Sequence, residues 1–256
     1  MKYILFALAL LLPLSAQGGW EVPKHPDPDK IYDEAQEDTK AYRYELALEK
    51  HVWFHHNALK YERSLYGVRL SYALSDWLDL AKVYPPALVK LQEVRDQAAH
   101  NVKNGVNPYA FFHDFKSINE ELGENEQTVN LFQWLDFNQP KIAKKVYRLA
   151  QPALQADKEY NLSGKYLDSA VEYKYLVKKF RIRKAFEKKE NNPYLNGFAD
   201  NFFTHHVSTL VALLVINKRH SEARLMAEQG KQELENEEFW MALKSALQGQ
   251  LPAPWP

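Results

Sequence analysis

From residue 32 to residue 250 the apolar positions return every three or four residues and almost nowhere alternate strictly. A spacing near 3.6 gathers side chains on one helical face, whereas a strand repeats every second residue. The pattern therefore predicts helices separated by a few breakers. Between Tyr32 and Glu62, the residues Tyr44, Leu48, Val52 and Leu59 fall on one side of a helix. The stretch SLYGVRLSYALSDWLDLAKVY, residues 64–84, is apolar nearly all round and reads as a helix buried between neighbours. Pro85 and Pro86 end it and open another, because proline is tolerated in a first helical turn. That helix carries Leu88, Leu91, Val94, Ala98 and Val102 on one stripe and stops at Gly105, a natural C-terminal cap.

The two-helix layout recurs along the chain. Residues 107–122 and 124–137 form two helices separated by Gly123, and residues 139–157 and 165–190 form another pair. Pro152 is expected to end or kink the first member of that second pair. Residues 196–219 precede a helix at 221–234, and the last helix covers 236–247, with Asn236 as N-cap and Glu237 and Glu238 in its first turn. Residues 20–31 hold three prolines and no helical period, which predicts an extended arm. The expected class is all-α, a helical-hairpin repeat array, with an irregular helical bundle as the alternative.

Hairpins at roughly 35–45-residue spacing characterise α-solenoids. The segment HVSTLVALLVINKRHSEARLMAEQGKQEL, residues 206–234, resembles the tetratricopeptide-repeat-like superfamily, with Leu210, Leu214, Ala223 and Ala227 where that repeat places small or apolar residues. SINEELGENEQTVNLFQWL, residues 117–135, is similar to it more distantly. The glycine and tyrosine usual in the repeat's first helix are here Val211 and Leu214. The resemblance implies a right-handed superhelix that binds proteins and has no chemistry of its own.

Composition narrows the classes further. The chain has 46% hydrophobic and 26% charged residues, the balance of a folded protein, and only nine glycines, few for phosphate-binding loops or tight β-turns. Lys plus Arg and Asp plus Glu both number 33, so no global charge points to nucleic acid. The absence of cysteine rules out disulfides, thiol catalysis and thiolate metal sites. At the start, Lys2 precedes an apolar run from Tyr3 to Leu14 and then the small residues Ala16 and Gly18, the layout of a secretory signal. Export to the periplasm or the medium is expected, with a first mature residue at Gly19 or Trp20. The expected organisation is a signal over 1–18, an arm over 19–31 and a single all-helical repeat-like domain over 32–256.

Three groups of residues carry candidate function. His51 and His55 are four apart on a helix and could reach one zinc ion, but they lack the intervening glutamate of a metalloprotease helix. The alternative is two buried, hydrogen-bonded imidazoles; no cofactor is expected on that reading. The basic run Lys178, Lys179, Arg181, Arg183 and Lys184 is a candidate strip for an acidic partner or an anionic envelope polymer, or a solvated face. The acidic residues Asp27 to Asp38 offer it an intramolecular partner. Trp53, Asn57, Tyr61, Arg69 and Asp76 are the candidate concave-face contacts for a protein or peptide, since Trp, Tyr and Arg anchor interfaces well. No GxSxG elbow, GxxxxGKS loop or GxGxxG turn is present, so a scaffold is expected rather than an enzyme.

Overall fold

The structure is a computed structural model that describes residues 19–190 and 192–253; the signal-like run over 1–18 lies outside them. Thirteen α-helices and no strand are present among the described residues, so the protein is all-α. The span expected as one domain divides after Arg95 into two compact units.

The first unit contains α1 (Pro28–Lys40), α2 (Tyr44–Tyr61), α3 (Tyr66–Arg69), α4 (Tyr72–Val83) and the start of α5 (Pro85–Lys103). Helix α1 begins inside the expected arm, because Pro28 suits a first turn and the Asp27 carboxylate accepts the Lys30 N–H at 3.3 Å. The chain then reverses through Tyr42, at φ +61°, so the pattern from 32 to 62 is a hairpin and not one helix. Lys50 clamps the two arms together, with Nζ 2.7 Å from Asp38 and 3.0 Å from Glu34. Burial alone would push its pKa down, but hydrogen bonds to both carboxylates outweigh that and hold it above its ordinary value. The 64–84 stretch is likewise not one buried helix. It breaks into a 3-10 turn at Arg63–Leu65, the single-turn α3 and α4, and Tyr72 is 73% exposed. Trp77 on α4 is buried, with Nε1 donating to the Ala87 carbonyl at 3.0 Å.

The second unit runs through α6 (Pro108–Leu122), α7 (Asn125–Asn138), α8 (Pro140–Ala156), α9 (Tyr160–Tyr166), α10 (Ser169–Glu190), α11 (Phe198–Ile216), α12 (His220–Glu233) and α13 (Glu237–Ala246). Its helices pack mainly on neighbours and next-but-one neighbours: α6 on α7 and α8, α10 on α11 and α12, α11 on α12 and α13. Stacked hairpins make such contacts, and the arrangement is compatible with a helical-repeat fold. Gly105 and Gly123 adopt φ near +70°, ending α5 and α6 as their positions predict. The Asn236 side chain accepts the Phe239 N–H at 3.0 Å and caps α13. Pro152 neither ends nor divides α8, which continues to Ala156. By length and composition, residues 193–216 could cross a membrane. Here α11 is wrapped by α9, α10, α12 and α13, and Phe203, Val207, Val211 and Leu214 are fully enclosed.

Candidate functional site

Helix α2 presents two faces of different character. Its inner stripe is Ala47, Lys50, His51, Phe54, His55 and Ala58, all buried. His51 is 2% exposed and stacks on Trp77, with ring centroids 6.1 Å apart and planes 21° from parallel. Neither of its ring nitrogens has a hydrogen-bond partner. Burial lowers its pKa to about 4 against a small opposing pull from Asp76, so the ring is neutral at pH 7. The His55 pKa falls well below its ordinary value through burial, then through the positive charges of Arg69 and His56.

Arg69 decides the character of this pair. It is 6% exposed, and its Nη1 lies 3.2 Å from His55 Nε2 and 3.1 Å from the His55 carbonyl. A guanidinium only donates, so Nε2 accepts and the ring proton sits on Nδ1. A cation against the nitrogen that would face a metal works against a second cation there. Among the described residues no three His, Asp or Glu side chains gather into a set that could hold a metal ion. The arrangement suits two neutral imidazoles packed in a helix interface.

Two of the five concave-face candidates make their contacts inside the unit. Arg69 is internal, and Asp76 accepts hydrogen bonds from the Tyr32 hydroxyl and from Gln36 Nε2, the latter at 2.8 Å, tying α4 to α1. Both are committed to the unit's own packing. The other three share the outer side of α2. Trp53 stacks on Tyr61 at 5.7 Å and meets Trp20 edge-on at 6.0 Å. Asn57 donates to the Trp53 carbonyl at 2.9 Å. Trp20 arrives from the arm, where its N–H donates to Glu49 Oε2 at 2.6 Å. Together Trp20, Leu48, Val52 and Trp53 wall a groove of about 440 Å³, with Glu49, His56, Asn57 and Lys90 as its polar parts. The sequence pattern missed Trp20, because an arm without periodicity gives no sign of where it docks.

The basic strip on α10 is divided by the turn of the helix. Arg181 makes a bidentate pair with Glu233, at 2.7 and 2.8 Å, and Lys184 lies 2.9 Å from Asp200. Lys178 is exposed, while Lys179 and Arg183 are half-buried and face a cleft of about 540 Å³ between α8, α10 and α11. Asp38 and Glu34 of the acidic segment take Lys50, and Asp38 also takes Arg43. The strip is therefore not one continuous surface for a polymer.

Comparison of the chain with protein-family models, with curated proteins and with solved structures found no match.

Proposed function

We propose that this protein is an exported helical scaffold that holds a protein or peptide partner against the outer face of α2. The observation that carries the reading is the row Trp20–Trp53–Tyr61 beside an apolar groove. Tyr61 is 55% exposed although it stacks on Trp53, so a large ring surface stays open to a partner. Rigid aromatic rings bury much area for little lost rotamer entropy, and Asn57, His56 and Lys90 at the rim offer hydrogen bonds to a peptide backbone. The all-helical architecture supports the reading, since stacked hairpins present side chains from rigid elements.

The test is paired capture from envelope extract with the full-length wild type and with W53A/Y61A. Interface aromatics of this kind cost about 2 kcal/mol or more when truncated, so the variant should lose at least about thirty-fold in affinity for whatever the wild type retains. Equal capture by a variant with unchanged helical content would remove the α2 groove from consideration.

A further inference from the structure

The cleft in the second unit has a composition that the α2 groove does not share. It lies between α8, α10 and α11, with Tyr160 at the start of the short α9 (Tyr160–Tyr166) on its wall. Its apolar walls are Tyr175, Leu176, Phe202 and Leu210, joined by Leu251 and Pro252 from the segment after α13. Gln151 and Gln155, one turn apart on α8, add amide groups.

The charges in this cleft are unequally matched. Arg148 is neutralised by Glu172, which accepts from Nε at 3.0 Å and from Nη2 at 2.8 Å. Lys158, an exposed member of the lining, has no carboxylate within ion-pair distance among the described residues, and the same holds for Lys179 and Arg183, also one helical turn apart. Each of the latter two lies over an aromatic ring instead: Lys179 is 5.6 Å from the Tyr175 centroid and Arg183 is 3.9 Å from that of Phe202. Arg183 Nε is buried with no acceptor, which leaves a donor unsatisfied. His205 and His206 complete the wall. Burial pushes both pKa values down, that of His206 to about 4, so near neutrality they bring donors and no charge.

We propose that this cleft is a small-molecule site for an amphipathic organic anion, with Lys179 and Arg183 holding the anionic head and the Tyr175, Phe202 and Leu210 walls holding an apolar body. Cations without counter-charges, Lys179 and Arg183 within the cleft and the exposed Lys158 at its lining, call for a negative group, and the fork of Arg183 matches the paired oxygens of a carboxylate or a phosphate monoester. The aromatic and aliphatic lining disfavours an inorganic ion alone. A volume of about 540 Å³ is in the range of ordinary ligand pockets and too small for a folded partner. The inference concerns the second unit only and does not rest on the α2 groove.

Calorimetric titration of the full chain with decanoate, decyl phosphate and decanol, all below micellar concentration, tests it. The expected result is saturable one-to-one binding of the two anions and binding of decanol at least about ten-fold weaker, as loss of a charge-assisted contact implies. The tighter of the two anions identifies the head group as carboxylate or phosphate. K179Q/R183Q should weaken both anions by about ten-fold or more and leave decanol unchanged, while K178Q/K188Q, which removes two exposed charges from the same helix, should leave all three unchanged. Gln155→Trp, which plugs the cleft with both cations intact, should abolish binding and keeps the test valid if the double variant fails to fold. Decanol binding as tightly as decanoate, equal affinity of the two double variants for decanoate, or no saturable binding of either anion would overturn the proposal.

Discussion

A histidine is defined by the groups around its ring, and His51 is the clearest case in this protein. Its ring stacks on Trp77, and burial lowers its pKa from 6.5 to about 4 against an opposing pull from Asp76. The folded state thus holds the ring neutral while the unfolded chain takes up a proton. The stability this contributes is fully present above pH 6.5 and is lost as pH falls toward about 4. Over that window the loss approaches about 3 kcal/mol for this one group. His51→Phe keeps a flat ring beside Trp77 and removes the titration. Urea midpoints measured at pH 7 and pH 4.5 should fall steeply for the wild type and less steeply for this variant. Identical slopes would mean that His51 is hydrated in solution. The i, i+4 spacing of His51 and His55 was readable from sequence, and it fitted a metal pair as well as a buried stripe. Arg69, fourteen residues beyond His55, places a guanidinium against the His55 ring, and no local pattern announces it.

At the scale of elements, α9 and the C-terminal end of α11 approach closely at Gly164. A Cβ built on Gly164 would collide with the side-chain amide of Asn217. Asn217 is held in that place, donating to the Tyr160 carbonyl at 3.0 Å and to the Leu213 carbonyl at 2.8 Å. Arg219 pins the same junction by donating to the Leu167 carbonyl at 2.7 Å. Alanine normally favours a helix over glycine by about 1 kcal/mol, but here overpacking should win. G164A is expected to lower unfolding free energy by about 1–3 kcal/mol, and in an N217A background, where space is free, by clearly less. Chemical denaturation of the four proteins of that cycle gives the coupling; additive effects would contradict the close approach. The helices themselves were largely legible. Gly105, Gly123, the Pro85–Pro86 step and the Asn236 cap mark ends where proline geometry, positive φ or a side-chain acceptor is needed. The hairpin turn at Tyr42 was not, because a tyrosine at positive φ carries no turn signal. Pro152 does not mark an end: α8 runs through it to Ala156, with the proline exposed.

For the whole molecule, export is the open proposition with a direct readout. The Trp20 N–H already donates to Glu49, and the ideal Cβ position of Gly19 lies 3.2 Å from Glu49 Oε1. A new α-amine at Gly19 or Trp20 would therefore meet a carboxylate, which favours its charged form. N-terminal sequencing of protein recovered from the periplasm or medium should begin at one of these two residues; an exported chain that retains Met1 would contradict the signal reading. The two units also differ in what they offer a ligand. The first carries a largely apolar groove edged by an open aromatic, and the second a cleft lined by cations without carboxylate partners, Lys158, Lys179 and Arg183. Only the latter has the charge asymmetry that names a class of small molecule.

Periodicity, breakers and the lack of cysteine were enough, without coordinates, to establish an all-helical chain and most helix ends, because those depend on interactions within about four residues. The same run of letters around Lys179 already held the Tyr175, Lys179, Arg183 spacing that faces the cleft. What only the tertiary structure decided is which charges survive folding. Arg181 and Lys184 meet Glu233 and Asp200, Arg69 turns inward to His55, Asp76 closes on Tyr32 and Gln36, and Lys179 and Arg183 meet aromatic rings and no acid. Partners such as Glu233 stand 52 residues away along the chain, so their effect depends on how helices stack and not on the order of residues.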